Sequence, residues 1–171
     1  DNKGNINYKD IMNNFILWIE KGKFTSNNKT FGVGGTTFKA LRNYYYREEF
    51  IMYKDPLMCG IDDIKDNGNG SLMRILPIAY YCYYKKLKEE EIYKLVKDIS
   101  SMTHRHSISI LGCYIYVLFV IGILNGEEKE KIYKGIRKYN YNKYFDKETI
   151  NNYGRLLDND ISLIDIDNIN S

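Results

Sequence analysis

The stretch from Ile108 to Leu124 is apolar at nearly every position, and it constrains the fold more than any other part of the chain. A helix that is apolar on all faces must be surrounded by lipid or by other helices. The stretch is close to the minimum length for crossing a bilayer, but two glycines, two tyrosines and a serine interrupt it. It also stands alone in an otherwise polar chain. It therefore predicts a helix buried on all sides in a bundle, and it does not predict a membrane span.

Most of the remaining chain predicts amphipathic helices. Apolar residues recur at the three- and four-residue spacing of a helix, and no run of alternating valines and threonines predicts a sheet. Capping residues and helix breakers set the ends. The predicted helices run from Asn7 to Gly22, from Thr36 or Thr37 through Tyr45, from Ser71 to about Leu87, from Glu89 to Met102, from about Glu127 to Tyr139, and from Asp146 to Leu157. Pro77 is expected near the start of the third helix or at a kink in it. The predicted fold class is therefore all-α, with residues 1–171 forming a single domain.

Composition and charge exclude several classes of function. With 25 basic and 22 acidic residues the net charge is +3, which is too balanced to indicate a nucleic-acid partner. The three cysteines contain no C-x-x-C pair, so they indicate neither a disulfide framework nor a zinc ribbon. We therefore expect a cytoplasmic protein that binds neither nucleic acid nor membranes. No feature of the sequence specifies an oligomeric state.

The segment from Asp66 to Ser71, Asp-Asn-Gly-Asn-Gly-Ser, predicts a ligand-binding loop. Four loop-forming residues lead directly into residues with helical spacing, and no second strand follows to make a hairpin. A loop that ends at a helix N-terminus exposes backbone N–H groups and the positive end of the helix dipole, which suits an anion such as phosphate. Arg74 follows in the first turn. We interpret it as a structural ion-pairing residue, with a phosphate contact as the alternative.

A second glycine-rich segment, Phe31 to Thr37, precedes another predicted helix and contains Gly32, Gly34 and Gly35. It has no strand before it and no Gly-Lys-Ser/Thr, so it is neither a Rossmann fingerprint nor a phosphate-binding P-loop. Taken alone, it is typical of an ordinary connection between helices. Two such loops in one helical domain favour close backbone approach to a ligand, because glycine has no side chain in the way.

The two histidines, His104 and His106, precede the apolar helix. Their spacing suits metal ligands on a strand, but they lie at a helix entrance with no third ligand nearby, so we predict no metal site there. In one interpretation His106 is exposed and His104 caps or hydrogen-bonds the turn; in the other, His104 faces a ligand. The acidic run from Asp62 to Asp66 fits no register of a calcium loop, and we interpret its first two carboxylates as solvated.

Three motifs in a fixed order resemble the ADP-ribosylglycohydrolase family. They are Phe-Gly-Val-Gly-Gly-Thr-Thr at 31–37, Gly-Asn-Gly-Ser-Leu-Met-Arg at 68–74 followed by Ile-Leu-Pro, and Ser-Ser-Met-Thr-His at 100–104. The resemblance covers roughly Tyr8 to Leu124. It implies an all-α orthogonal helical bundle with a two-magnesium centre, which agrees with the helical periodicity.

The resemblance also implies a set of substrate-binding residues. The loop from Lys65 to Gly70 would wrap the diphosphate and the distal ribose of ADP-ribose, and Ser71 would complete this cradle. His104 would contact the ligand from the opposite wall, while the first glycine loop would line the same cleft. The implied substrate-binding set is Lys65, Asp66, Asn67, Gly68, Asn69, Gly70, Ser71, His104, Gly32 and Gly34. Gly32 stands where many members have an aspartate, so the chain looks more like the branch of serine- and O-linked ADP-ribose hydrolases.

The family's two metal-ligand motifs, of the Thr-Asp-Asp-Thr and Gly-Gly-Asp-x-Asp-Thr types, are not found in the sequence. The segment at 165–168 lacks the glycines and the closing threonine, so it is no substitute. We therefore expect the central portion of the family's domain, incomplete at both ends, and we assign no catalytic residue within it. Two Mg²⁺ ions are implied for the intact family, and we expect this chain not to bind them.

The implied function is hydrolysis of the glycosidic bond between ADP-ribose and a modified protein or small-molecule acceptor, when the flanking metal-ligand segments are present. The expected partner is ADP-ribose or an ADP-ribosylated protein. The alternatives are a metal-free module that binds ADP-ribose or a related nucleotide, an inactive truncated relic, and a helical domain with no ligand.

Overall fold

A computed structural model describes residues 4–45 and 55–158 of the chain. Within these residues the secondary structure is helical, and β-type pairing is limited to one isolated bridge between Ile61 and His104. The α-helices are α1 (Tyr8–Lys21), α2 (Gly35–Tyr45), α3 (Leu76–Lys85), α4 (Glu89–Ser101), α5 (Ser107–Leu124), α6 (Lys129–Lys138), α7 (Lys147–Asn151) and α8 (Gly154–Leu157). Short 3-10 turns occupy Pro56–Met58, Ile64–Asp66, Leu72–Arg74 and Tyr141–Lys143. The predicted all-α fold class is confirmed.

Several helix ends lie where the capping residues predict them. The side chain of Asn7 accepts a hydrogen bond from a backbone N–H in the first turn of α1. The helix then stops at Gly22, which takes the left-handed conformation with a φ of 59°. Helix α4 begins at Glu89 as predicted. Helix α2 begins at Gly35, so the two predicted capping threonines lie inside its first turn.

The α-helix predicted to start directly after Ser71 begins only at Leu76. The 3-10 turn Leu72–Arg74 occupies the intervening residues. Pro77 explains the difference, because proline has no backbone N–H and is tolerated only in the first turn of a helix. The glycine loop therefore does not end at the N-terminus of an α-helix, and the predicted contribution of a helix dipole there is wrong.

The single helix predicted from Asp146 to Leu157 is divided into α7 and α8. Asp146 does cap α7, since its carboxylate accepts a hydrogen bond of 2.7 Å from the backbone N–H of Thr149. The break follows from a tertiary contact of Tyr153, whose hydroxyl donates a hydrogen bond of 2.8 Å to the carbonyl of Ile108 in α5. Holding this ring against α5 takes precedence over continuing the helix.

Helix α5 is the central element of the described core. It packs against α3, α4, α6 and α7, and Leu111, Cys113 and Val117 on it are completely buried. Among the described residues it is the one helix long and apolar enough to cross a membrane. Its second half is less covered than predicted, because residues 118–121 are only half-buried and Ile123 is exposed. The prediction of burial on all sides is therefore right for the first half of α5 and wrong for the second.

Backbone pairing fixes the turn between α4 and α5. The N–H of Gly60 donates to the carbonyl of Ser101 at 3.0 Å, and the N–H of Arg105 donates to the carbonyl of Ile61 at 2.9 Å. These bonds clamp the residues before the second glycine loop onto the turn that carries His104. The fold thus holds the loop and the histidine in a fixed relation.

Candidate functional site

A cleft of about 720 Å³ lies between α1, the two glycine loops and the turn after α4. This volume is within the usual range for sites that bind small molecules or cofactors. Three segments that are far apart in the sequence meet in its walls. The lining residues are Asn14, Phe15, Trp18, Phe24, Phe31, Gly32, Gly34, Gly35, Thr36, Thr37, Gly68, Asn69, Gly70, Met73, Arg74, Thr103 and His104.

Six of the ten predicted substrate-binding residues line this cleft. They are Gly32, Gly34, Gly68, Asn69, Gly70 and His104. The structure places Lys65, Asp66, Asn67 and Ser71 outside the lining, at positions that support the loop. A direct ligand contact of these four residues stays a prediction.

Gly70 lies where the second glycine loop approaches His104 and Thr37. A Cβ added there would lie 2.7 Å from Cε1 of His104 and 3.0 Å from the hydroxyl oxygen of Thr37. A Cβ on Gly68 would lie 3.7 Å from Nε2 of His104, an ordinary contact distance. Neither glycine has a positive φ, whereas Gly32 in the other loop has a φ of 62°. Gly70 is therefore required for the close approach of the two segments and not for a positive φ.

His104 is 2% exposed and forms part of the cleft wall. Its Nδ1 lies 2.9 Å from the hydroxyl oxygen of Thr103, which is completely buried. Burial lowers the pKa of His104 to about 4, and the positive charge of Arg74 acts in the same direction. The imidazole is therefore neutral at physiological pH. The contact with Thr103 agrees with the interpretation in which His104 hydrogen-bonds the turn, and its place in the cleft wall leaves the contact with a ligand a prediction.

His106, by contrast, is half-buried and caps α5. Its Nδ1 accepts a hydrogen bond of 3.3 Å from the backbone N–H of Ile108 and lies 3.1 Å from the amide nitrogen of Asn67. The interpretation of His106 as an exposed residue is wrong, because the turn brings its ring against the second glycine loop.

The lowered pKa of His104 predicts how the protein responds to acid. Its pKa is about 4 in the folded chain and near 6.5 when unfolded, so the unfolded state binds a proton first as the pH falls. We expect the free energy of unfolding to decrease as the pH drops from about 6.5 towards 4. An NMR titration of the two histidine rings checks this directly. A His104 ring that titrates near pH 6.5 would contradict the proposed environment.

Arg74 supports the back of the cleft. Its Nη2 donates to the carbonyl of Ile99 at 2.9 Å and to the hydroxyl of Thr103 at 2.7 Å, and the guanidinium lies 5.0 Å from the centre of the Phe15 ring. Burial lowers its pKa to about 10, which leaves it cationic at neutral pH. No carboxylate of the described residues lies within ion-pair distance of it. The expected ion pair of Arg74 is thus not found among the described residues, its partners are neutral, and a contact with phosphate stays a prediction.

Asp66 connects the two glycine loops from outside the lining. Its carboxylate accepts a hydrogen bond of 2.8 Å from the hydroxyl of Thr36 and pairs with the ammonium of Lys39 at 2.9 Å. The hydrogen bond from Lys39, followed by the one from Thr36, lowers the pKa of Asp66. This carboxylate tethers the start of α2 to the second loop.

Asn67 and Ser71 anchor the second loop to the core. The amide of Asn67 donates to the carbonyl of Ile64 at 3.1 Å and accepts a hydrogen bond of 2.9 Å from the hydroxyl of Ser109. Ser71 is 1% exposed, and its hydroxyl lies 3.4 Å from the thiol of Cys113. Lys65 is exposed at the start of the loop. These contacts hold the backbone of the intervening glycines in place.

An aromatic wall completes the cleft, and of its rings the resemblance predicted only Phe31, as part of the first glycine loop. Phe15 and Trp18 are half-buried on α1, where they line the cleft while Met12 and Ile16 fill the core. The apolar face of α1 was visible in the sequence, but its division between core and cleft depends on how α1 packs. Phe24, Phe31 and Met73 extend the wall and are largely exposed.

The described residues do not fit a two-magnesium centre. They contain no group of three or more His, Cys, Asp or Glu side chains that could hold a metal ion. The carboxylate of Asp66, which contacts Thr36 of the lining, is paired with the ammonium of Lys39 and accepts a hydrogen bond from the hydroxyl of Thr36. The aspartates of the tail beyond Asp158 lie outside the described residues.

The fold and the site define a class of protein: it is all-α, and its cleft is lined by glycines and aromatic rings. The family model for ADP-ribosylglycohydrolase matches residues 1–164, and the chain belongs to this family. The match extends beyond the three motifs on both sides. No curated protein and no solved structure matches the chain.

Proposed function

We propose that the cleft binds ADP-ribose and that the chain provides the substrate-binding part of an ADP-ribosyl glycohydrolase. The reaction is hydrolysis of the glycosidic bond between ADP-ribose and a modified protein or small-molecule acceptor. One observation carries the proposal: both glycine loops and His104 converge on one cleft in a member of this family.

The chemistry of the walls suits the parts of ADP-ribose. The rings of Phe15, Trp18 and Phe31 offer aromatic faces to a planar base. Gly68 and Gly70 allow a diphosphate to approach the backbone of the loop closely, because neither residue has a side chain. The cation of Arg74 adds a favourable field for an anion at the back of the cleft.

Hydrolysis requires more than these walls supply. Family members of this type use two Mg²⁺ ions, which would orient the ribose hydroxyls and position water. The described residues bind and orient the substrate, and they offer no unpaired carboxylate in the lining as an acid or base. We therefore propose that turnover depends on metal-ligand segments that flank the cleft in the intact protein.

A metal-free binding module is the second candidate. It is favoured by the lack of a metal-binding group among the described residues and by the pairing of Asp66 with Lys39. Both candidates bind ADP-ribose, and only the first releases it from an acceptor. Gly32 further favours the branch of serine- and O-linked ADP-ribose hydrolases, which we propose as the linkage class.

The proposal predicts saturable ADP-ribose binding that needs no metal. Trp18 is the only tryptophan of the chain and lines the cleft, so its fluorescence should change as the site fills. We expect saturation below about 1 mM ADP-ribose, with adenosine binding more weakly because it lacks the diphosphate. Calorimetry measures ADP-ribose binding without fluorescence. Applied to the parent and to Trp18→Phe, which has no tryptophan, it shows whether binding persists when the fluorescence signal is removed. Absence of saturable binding by both methods would contradict the proposal.

The same preparation, given an ADP-ribosylated peptide, tests whether this chain hydrolyses the glycosidic bond without further segments. We expect no release of ADP-ribose with or without Mg²⁺, because the described residues do not hold a metal pair. Turnover that depends on Mg²⁺ would contradict this expectation and direct attention to the tail aspartates.

A further inference from the structure

Arg74, Thr103 and His104 form a short chain of hydrogen bonds behind the cleft. Nη2 of Arg74 lies 2.7 Å from the Thr103 hydroxyl oxygen, which lies 2.9 Å from Nδ1 of His104. All three residues line the cleft. The first and last members differ in an important respect, since a guanidinium can only donate whereas a neutral imidazole nitrogen can donate or accept.

The direction of the hydrogen bonds between these three residues follows from which of their atoms carry a proton. Arg74 donates to the Thr103 hydroxyl, so that oxygen already accepts one hydrogen bond. The hydroxyl proton needs an acceptor, and Thr103 is completely buried, so bulk water does not supply one. Among the described residues, Nδ1 of His104 is the remaining partner of this hydroxyl. Thr103 therefore donates to Nδ1, and in the neutral ring the proton sits on Nε2.

The Nε2–H group points towards the second glycine loop. Nε2 lies 3.2 Å from the position of a Cβ on Gly70 and 3.7 Å from that of a Cβ on Gly68. No hydrogen-bond partner of Nε2 lies among the described residues. A donor in the cleft wall that has no protein partner and is bordered by two glycines is suited to an oxygen of a bound ligand.

We propose that Arg74 and Thr103 are positioning residues that hold His104 as the Nε2–H tautomer and present this N–H to a ligand oxygen beside Gly68 and Gly70. The proposal rests on the proposed function for the identity of the ligand, which is ADP-ribose. The tautomer itself is a property of the free protein.

The charges around the imidazole maintain its neutral form. Arg74 disfavours an imidazolium, while Asp66 favours one more weakly, and burial dominates both. A doubly protonated ring would also place an N–H of Nδ1 against the proton of Thr103. The same guanidinium therefore orients the hydroxyl and opposes a second proton on the ring.

Nitrogen NMR of the uniformly ¹⁵N-labelled, ligand-free protein tests the tautomer. The chain has only two histidines, and His106 serves as an internal reference because its Nδ1 also accepts a hydrogen bond. We expect a protonated Nε2 and an unprotonated Nδ1 for His104 in the parent and in Thr103→Ser. In Thr103→Val, which keeps the shape but removes the hydroxyl, we expect a mixture of tautomers at His104 and no change at His106. A protonated Nδ1 in the parent would overturn the proposal.

ADP-ribose titration of the same proteins tests the donor role. We expect Thr103→Val to bind about tenfold more weakly and Thr103→Ser to bind like the parent, in keeping with the loss of one hydrogen bond. Circular dichroism and thermal melting establish that each variant is folded. If Thr103→Val changes the tautomer but keeps the parental affinity, the donor role is overturned. If the parent does not bind ADP-ribose, the proposed function and the donor role both fail, while the tautomer measured without ligand still decides the positioning role.

Discussion

Replacing Gly70 with valine is expected to weaken ADP-ribose binding by at least about a hundredfold, equivalent to ~2.7 kcal/mol. A Cβ at this position would lie 2.7 Å from a ring carbon of His104 and 3.0 Å from the hydroxyl oxygen of Thr37. His104 cannot move away cheaply, because it is buried and hydrogen-bonded to Thr103. The added methyl groups would enter the space where the two walls of the cleft meet. The measurement is calorimetric titration of ADP-ribose against the parent and the variant.

Gly34→Ala is the matched control for this change. Gly34 lines the same cleft, but a Cβ added there meets nothing within 4 Å. We expect this variant to lose much less affinity for ADP-ribose than Gly70→Val, because its Cβ enters open space. Gly70→Ala should lie between the two, because it adds the contact with His104 without the further methyl groups. If Gly70→Val is folded and binds like the parent, the glycines of the second loop are only a connector between helices.

The sequence predicted most of the fold because helices leave a local signature. The caps of α1 at Asn7 and Gly22 and the start of α4 at Glu89 depend on residues within one or two turns. The apolar stretch that became α5 likewise specified its own burial in the core. Such features need no knowledge of the rest of the chain.

Features set by distant contacts were not predictable in the same way. The break between α7 and α8 depends on Tyr153 reaching the carbonyl of Ile108, a partner 45 residues away. The start of α3 is different, because the expected place of Pro77 near the helix start is confirmed and only the first residue of the helix was wrong. The incomplete cover of the second half of α5 depends on which helices reach it.

The same distinction between local and distant contacts applies to the candidate site. The resemblance placed Gly70 and His104 together, and they do meet in the cleft. The part of the aromatic wall on α1 was missed because Phe15 and Trp18 share an apolar face of α1 with core residues, and periodicity does not separate cleft from core. The tether from Asp66 to Lys39 joins residues of two elements, so no spacing rule predicts it.

Gly60→Ala is expected to lower the free energy of unfolding by about 3 kcal/mol. Gly60 is buried against the turn after α4, and a Cβ there would lie 2.1 Å from the carbonyl oxygen of Ser101 and 2.9 Å from the carbonyl carbon of Thr103. Both contacts are with backbone atoms, so no side-chain rotation relieves them. The chain must separate where the N–H of Gly60 donates to Ser101, which loosens the turn that holds His104. Thermal unfolding should show a Tm lower by roughly 6–12 °C.

Gly135→Ala gives the opposite expectation and serves as the control. Gly135 is exposed within α6, and a Cβ added there meets nothing within 4 Å. Because alanine favours a helix over glycine, this variant should be more stable by about 0.5–1 kcal/mol. Gly60→Ala should also weaken ADP-ribose binding, since the turn it displaces carries His104, whereas Gly135→Ala should not. A Gly60→Ala protein with the parental Tm would show that the backbone of residues 101–104 yields easily, and the rigid placement of His104 would then have to be abandoned.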